Sequence, residues 1–136
     1  LKIFDSILPN TVSKLTEAPY WQSSPRYGRG NPSYKTEGDA HDWWIWHDAY
    51  PFEHLEENVP RFMSEFGFQS FPSYETIRYM NQSDSIEMSS AGFKNHQKHA
   101  RGFQLIEEYM QRDFPIPNNA EDYVYVSQLL QAYGIA

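Results

Sequence analysis

The sequence predicts an α/β fold built from parallel βα units, and two patterns lead to this prediction. Short apolar runs alternate along the chain with amphipathic stretches of helical period, which is the order expected of a parallel sheet. The run 61–68 is apolar on both faces apart from Ser64 and Glu65, as is typical of a parallel strand that is covered on both sides. A closed eight-stranded barrel of such units needs ~250 residues, so a chain of 136 is about half of one.

Each element is predicted from local signals. Three apolar runs have the length of strands: 18–21, 40–46 and 61–68. Five stretches have the period or the capping residues of helices: 2–15, 51–58, 73–80, 96–112 and a last helix after Asn118 or Asn119. Pro9 predicts a kink or a late start in the first helix, and Ser73 is expected to cap the third. The stretches 23–40 and 81–92 are expected to be loops, and long ordered loops in compact domains are usually functional.

Charge and composition exclude several classes of protein. The 18 acidic and 11 basic side chains give a net charge of −7, which argues against nucleic acid and anionic membranes as partners. No stretch approaches the ~20 apolar residues that cross a bilayer. The absence of cysteine excludes disulfides and thiolate metal sites. The first residues do not have the pattern of a signal peptide, and without an initiator methionine we expect a processed, truncated or excised chain.

Aromatic residues make up 17% of the chain, and three of the four tryptophans lie within residues 43–46. One interpretation is a small core filled with large rings. The other is a carbohydrate site, because sugar rings stack on aromatic faces while carboxylates and amides bind their hydroxyls. The sequence leaves both interpretations open.

Glu65 is the strongest candidate for chemistry. It is a charged residue within an apolar strand, where a carboxylate is rarely buried without a partner or a task. The carboxyl ends of parallel strands are also where catalytic groups lie in barrel enzymes. The alternative is an ordinary glutamate at a strand end that faces solvent.

Other polar groups favour structural interpretations. The spacings between His41, His47 and His54 do not match a helical metal pair or a zinc signature, so we expect no metal site and no cofactor. His96 and His99 are expected to form a surface pair on a helix. The carboxylates of the 51–58 helix are expected to form a solvated face: Glu53, Glu56 and Glu57.

Several motifs carry a resemblance to a known family. The run Arg61-Phe62-Met63-Ser64-Glu65-Phe66-Gly67-Phe68-Gln69-Ser70-Phe71-Pro72 resembles the nucleophile segment of the β-mannosidases of glycoside hydrolase family 2. Four further segments resemble the same enzymes in the same order: 19–25, 38–41, 95–98 and 125–128. Gln22 departs from the family, in which a proline is expected at that position.

The resemblance implies a partial (β/α)8 TIM barrel of about strands five to seven with their flanking helices. Residues 1–136 would then be the C-terminal half of the catalytic barrel domain of a retaining exo-β-mannosidase, with Glu65 as the nucleophile. His47 would stand where many relatives have a tyrosine that donates to the nucleophile. Strand alternation would place Trp43 and Trp46 on opposite faces. The residues implied to bind substrate are Trp43, Trp46, His47, Asp39 and His41.

The family's acid/base glutamate follows an asparagine, and this chain contains no Asn-Glu pair. The acid/base strand and the last strand are therefore expected to lie outside the chain, and the chain alone is expected to be inactive, because a general acid contributes ~10²–10⁴-fold. Half a barrel would also expose strand edges and apolar faces, so we expect self-association.

Two alternatives stay open. One is another family 2 β-glycosidase, of the glucosaminidase or galactosidase type. The other is a non-catalytic carbohydrate-binding or assembly module. In each case the partner is a carbohydrate, and the resemblance leaves periplasmic, secreted and lysosomal locations of the parent enzyme equally open.

Overall fold

The computed structural model of the protein describes residues 2–136. A π-helical turn, Ile3–Ile7, leads into α1, and a 3₁₀ turn, Pro32–Lys35, precedes the first strand. The strands are β1, Ala40–Asp42, and β2, Met63–Phe66. The helices are α1 (Leu8–Leu15), α2 (Trp44–Asp48), α3 (Glu53–Glu57), α4 (Tyr74–Asn81), α5 (Ala91–Lys94), α6 (Gly102–Asp113) and α7 (Ala120–Ile135). None of the helices in this part of the chain is long and apolar enough to cross a membrane.

The chain divides into two compact units. The first unit runs up to Trp43 and includes Glu53–Phe66. The second unit contains Trp44–Phe52 and Gly67–Ala136. The strands therefore belong to the first unit, and the long helices α6 and α7 belong to the second.

The two strands of the first unit pair in parallel. This pairing confirms the prediction of an α/β fold with parallel strands. The register is irregular, because Ala40 lies opposite Met63 whereas His41 lies opposite Glu65. One extra residue, Ser64, is thus accommodated in β2, as in a β-bulge.

Two of the predicted strands differ in the structure. Residues 18–21 form no strand. The Ala18 amide instead donates a local hydrogen bond to the Thr16 hydroxyl at 3.1 Å. The predicted strand 40–46 ends at Asp42, and Trp44 begins α2. The helix forms because the Ile45 carbonyl accepts from the Ala49 amide and from the buried Tyr109 hydroxyl, so it is not available to a sheet ladder.

The prediction that the strand at 61–68 is covered on both faces was also wrong for the described residues. Ser64, Glu65 and Phe66 of β2 are exposed, and Phe62 just before it is 62% exposed. Within residues 2–136, β2 has a single partner strand, and the apolar side chains of Phe62 and Phe66 are not buried.

The helix predictions hold with shifted ends. Ser73 caps α4 by accepting from the Thr76 amide, and Asn119 caps α7 by accepting from the Asp122 amide, as predicted. The helix expected at 96–112 begins at Gly102, because the Gln97 side chain binds the Ala100 carbonyl and the Phe103 amide and so competes with helical bonding. The expected loop 81–92 ends in the short helix α5.

The second unit has an aromatic core. Phe68 lies between Trp46 and Tyr109, with ring centroids at 5.3 and 4.7 Å, and Phe52 packs on Phe68 at 5.3 Å. A second group of rings surrounds Phe71: Phe93, Phe103 and Tyr123. Offset and edge-to-face pairs of this kind each contribute about 0.5–1.5 kcal/mol beyond burial. The core interpretation of the aromatic content is therefore confirmed for this unit.

Helix α7 holds the segment 68–71 through three polar side chains. The buried Ser127 hydroxyl accepts from the Phe71 amide at 3.1 Å and donates to the Val124 carbonyl at 2.6 Å. The Gln128 amide donates to the Phe71 carbonyl at 3.2 Å, and the Gln131 amide donates to the Phe68 carbonyl at 2.6 Å. The extended segment that follows β2 in sequence thus satisfies its backbone groups with side chains of a helix.

Candidate active site

Glu65 and His41 face each other across the two strands of the first unit. The bulge at Ser64 brings Glu65 opposite His41, and the His41 Nδ1 lies 3.2 Å from Glu65 Oε2. A regular ladder would have placed the Ser64 side chain there instead. The local irregularity of β2 therefore determines which side chain meets the imidazole.

Two groups hold one oxygen of Glu65. The Trp43 indole Nε1–H donates to Oε2 at 3.3 Å, and the His41 Nδ1 approaches the same oxygen. The Glu65 side chain is 50% exposed. Among the described residues, Oε1 accepts no hydrogen bond. The carboxylate is thus anchored through Oε2, while half of the Glu65 side chain is open to solvent.

Asp39 lies on the other side of the same imidazole. Its Oδ2 accepts hydrogen bonds from Ser24 Oγ and Ser64 Oγ, both at 2.5 Å, and lies 3.5 Å from His41 Nε2. The hydroxyls of Ser24 and then Ser64 lower the pKa of Asp39 below its usual 3.8, with a smaller contribution from His41. Asp39 is therefore ionised at neutral pH and acts as a hydrogen-bond acceptor.

The backbone around Asp39 and His41 is tightly constrained. Gly38 adopts a φ of +66°, and a Cβ atom there would lie 2.3 Å from the Trp21 ring, so only glycine fits. The Tyr34 hydroxyl donates to the His41 carbonyl at 2.8 Å, and burial, followed by the charge of Asp42, raises the pKa of Tyr34. These contacts fix the direction in which β1 presents His41.

Asp42, the next residue along, points into the interior of the unit. Its Oδ2 lies 2.9 Å from Nε2 of His54, and both side chains are buried. The Asn58 amide lies 3.1 Å from the His54 Nδ1 and also donates to the His54 carbonyl. An Asn58 donor at Nδ1 leaves the proton on Nε2, which donates to Asp42. This chain of bonds ties β1 to α3 and gives His54 a structural role.

The structure brings together four of the residues predicted for the site: Asp39, His41, Trp43 and Glu65. Trp46 and His47 belong to the second unit, where both rings contact His99, at 5.3 and 5.4 Å between centroids. His99 is thus part of a ring cluster rather than of a helical surface pair with His96. Strand alternation does not separate Trp43 from Trp46, because α2 begins between them.

Ser24 and Ser64 were not predicted to take part in this cluster. Ser64 belongs to the 61–72 motif, and Ser24 lies in the long loop 23–40. Their positions in these two segments are the signals that could have indicated them as donors to a carboxylate. Sequence separation hides their convergence on Asp39, since the two serines are 40 positions apart in the chain.

Over residues 2–136, no three His, Cys, Asp or Glu side chains are grouped so as to hold a metal ion. The second unit contains a cavity of about 1060 Å³, bordered by residues that include Phe93, Phe103 and Glu107. None of the residues predicted for the site borders this cavity.

Known proteins with related sequences and structures point in one direction. No family model matches the chain. A protein named Beta-mannosidase B from Aspergillus flavus is 29% identical over 133 residues, and its namesake from Aspergillus niger is 26% identical over 133 residues. Each alignment covers 96% of this chain and 16% of the relative. The chain therefore spans about a sixth of the length of these relatives.

Among solved structures, the β-D-mannosidase from Dictyoglomus thermophilum superimposes with a TM-score of 0.85. It is 33% identical in sequence, and the match covers 98% of this chain and 17% of that protein. The resemblance predicted from the motifs is thus confirmed in both sequence and structure: over nearly its whole length, the chain is similar to a segment of β-mannosidases.

Proposed function

We propose that this chain is a segment of the catalytic (β/α)8 barrel of a retaining exo-β-mannosidase of glycoside hydrolase family 2, with Glu65 as the nucleophile. The observation that carries the proposal is the anchored, half-exposed carboxylate of Glu65, held at Oε2 by Trp43 and His41. The similarity to proteins named as β-mannosidases supports the choice of substrate.

The geometry suits a nucleophile better than a general acid. In the proposed first step, Oε1 of Glu65 attacks the anomeric carbon of a terminal β-mannoside, and the bond from that carbon to the leaving oxygen breaks. The leaving oxygen takes a proton from an acid/base carboxyl group. In the second step, that group removes a proton from water, the water oxygen bonds to the anomeric carbon, and the bond to Glu65 breaks.

The proposal places the acid/base group outside these 136 residues. Asp39 is the other carboxylate next to His41, but its lowered pKa keeps it ionised near neutrality, so it has no proton to give. Retaining enzymes need their two carboxyl groups about 5–5.5 Å apart, so the acid/base carboxyl group would lie at that distance from Glu65. In the proposed barrel this chain corresponds to strands five to seven.

The test compares Glu65→Gln with Glu57→Gln in the complete protein that carries this chain, using aryl β-mannosides. We expect Glu65→Gln to lower kcat by roughly 10⁴-fold or more, the scale seen when a covalent nucleophile is removed. Glu57 is exposed on α3, and its variant should keep normal turnover. A 2-deoxy-2-fluoro mannoside should label the peptide that contains Glu65, as seen by mass spectrometry. Labelling of another residue would reject the assignment.

Two further measurements address the alternatives. A panel of aryl β-glucosaminides and β-galactosides would identify a family 2 enzyme of different specificity if either were the better substrate. The 136-residue chain alone is expected to hydrolyse none of them, because a general acid contributes ~10²–10⁴-fold. Turnover by the chain alone that Glu65→Gln abolishes would contradict that expectation.

A further inference from the structure

His41 lies between two carboxylates, and each of its ring nitrogens faces one of them. Nδ1 is 3.2 Å from Glu65 Oε2, whereas Nε2 is 3.5 Å from Asp39 Oδ2 and 3.3 Å from Ser24 Oγ. The ring is largely buried, with 18% of the side chain exposed. An imidazole whose two polar atoms are engaged in this way has little capacity left to bind a sugar hydroxyl.

The backbone and the neighbours of His41 fix the ring in place. The strand register sets His41 opposite Glu65, and the Tyr34 hydroxyl binds its carbonyl. On the Nε2 side, Asp39 is itself held by the hydroxyls of Ser24 and Ser64. The chain of contacts thus runs from two serines through Asp39 and His41 to Glu65, and of the three titratable side chains only Glu65 is half exposed.

We propose that His41 is a positioning residue for the Glu65 carboxylate, and that Asp39 orients the imidazole rather than binding the sugar. This inference rests on the proposed function, because it describes how the nucleophile is held. It differs from what the resemblance implies, which assigned both Asp39 and His41 to substrate contacts. The bond from Nδ1 holds Oε2, so that Oε1 keeps one direction toward the reacting carbon.

The sharpest test uses two amides that each replace one half of the imidazole. The amide of His41→Asn occupies roughly the place of Nδ1 and can still donate to Glu65, whereas the amide of His41→Gln reaches the place of Nε2. In the complete protein we expect His41→Gln to lower kcat by about 10- to 100-fold, the cost of a misplaced reacting group. His41→Asn should stay within about fivefold of the unchanged enzyme, and KM should change by less than about twofold in both, since sugar binding is not altered.

Asp39→Asn supplies the second arm. It preserves the shape of the side chain but removes its charge, so the imidazole is held less firmly. We expect a loss in kcat of about 3- to 10-fold, again with little change in KM. His96→Asn serves as the matched control, because His96 is exposed in the second unit. Thermal unfolding of each variant verifies that it is folded. If the His41 variants do not fold, Ser24→Ala takes their place with the same expected direction, because it removes the hydroxyl that donates to Asp39 and lies 3.3 Å from His41 Nε2.

The outcomes separate this inference from the proposed function. If Glu65→Gln keeps its activity, the proposed function fails. If Glu65→Gln is inactive but the changes at His41 and Asp39 raise KM and leave kcat intact, both residues bind sugar and the positioning role is wrong. Equal losses in His41→Asn and His41→Gln would also overturn it, because only one of these variants keeps the donor to Glu65.

Discussion

At the scale of single residues, Asp39 shows how hydroxyl groups set the charge of a carboxyl group. Ser24 and Ser64 both donate to Oδ2, and only 11% of the side chain is exposed. Charge-assisted hydrogen bonds of this kind favour the ionised form, so the pKa of Asp39 lies below 3.8 when the chain is folded. Asp39 therefore stabilises the folded state above pH 3.8, and this stabilisation is lost as the pH falls through the lowered pKa.

Removing one of these donors should change how stability depends on pH. We expect Ser24→Ala to raise the pKa of Asp39 toward its usual value, because the Ser24 hydroxyl is the largest cause of the shift. The free energy of unfolding, measured with urea, should be lower in Ser24→Ala at pH 7 than in the unchanged chain. The difference between the two proteins should shrink as the pH falls below 3.8, because Asp39 then becomes protonated in both of them.

Asp39→Asn provides the control for that measurement. With no carboxyl group at position 39, Ser24→Ala should have an effect on unfolding that does not vary between pH 2 and 7. A pH-dependent effect that persisted in this background would mean that another group, and not Asp39, is responsible.

At the scale of elements, α7 acts as a support for the segment that follows β2 in sequence. Ser127, Gln128 and Gln131 lie on one face of the helix and bond to the backbone of Phe68 and Phe71. The hydrophobic residues of the helix are therefore not its only contribution. Part of the motif at 125–128 that resembles β-mannosidases has a direct structural explanation, since Ser127 and Gln128 hold the end of the 61–72 motif.

Ser127→Ala tests this support. The Phe71 amide is bonded to the Ser127 hydroxyl in the interior of the second unit, and the substitution would leave it without that partner. We expect the free energy of unfolding to fall by about 1–3 kcal/mol, the cost of an unsatisfied buried donor. Ser89→Ala, at an exposed serine, should change it by less than about 0.5 kcal/mol. Equal effects of the two substitutions in chemical denaturation would show that the bond to Phe71 contributes nothing.

At the scale of the whole molecule, the first unit exposes apolar side chains next to its strands. Phe62 is 62% exposed, Val59 is 71% exposed, and each strand has one ladder partner within residues 2–136. Exposed strand edges beside apolar residues are surfaces on which chains pair with one another.

The isolated chain is therefore expected to self-associate. Static light scattering should give an apparent mass that rises with concentration above that of the 16.0 kDa monomer. Phe62→Ser should reduce this rise, because it removes apolar surface beside β2. Tyr79→Ser, at a ring that is 84% exposed on α4, is the control and should leave the association unchanged. A constant monomer mass at high concentration would contradict the expectation.

The sequence was sufficient for features that depend on local chemistry. The caps at Ser73 and Asn119 and the parallel βα character follow from short-range signals and are present in the structure. Lengths and ends were less predictable. Residues 44–46 were predicted to end a strand, but they begin α2, in which the Tyr109 hydroxyl, 64 residues away, donates to the Ile45 carbonyl. A contact over that distance leaves no trace in a local pattern.

The same difference applies to the candidate site. Glu65 could be selected because a charge within an apolar run is unusual, and Asp39, His41 and Trp43 because of a motif. The way in which these four side chains are arranged could not be predicted, since it depends on the irregular register at Ser64. The hydroxyls of Ser24 and Ser64 meet at Asp39 only after the loop and the strand have folded.

The way in which the chain is shared between its two units limits how it can be dissected. The backbone passes between them three times, after Trp43, after Phe52 and after Phe66. Expressing residues 67–136 alone would omit Phe52 and the two carbonyls, of Ile45 and Tyr50, that the Tyr109 hydroxyl binds. Any attempt to produce the helical half as an independent piece must therefore supply 44–52 as a complementing peptide or splice it back through an artificial linker.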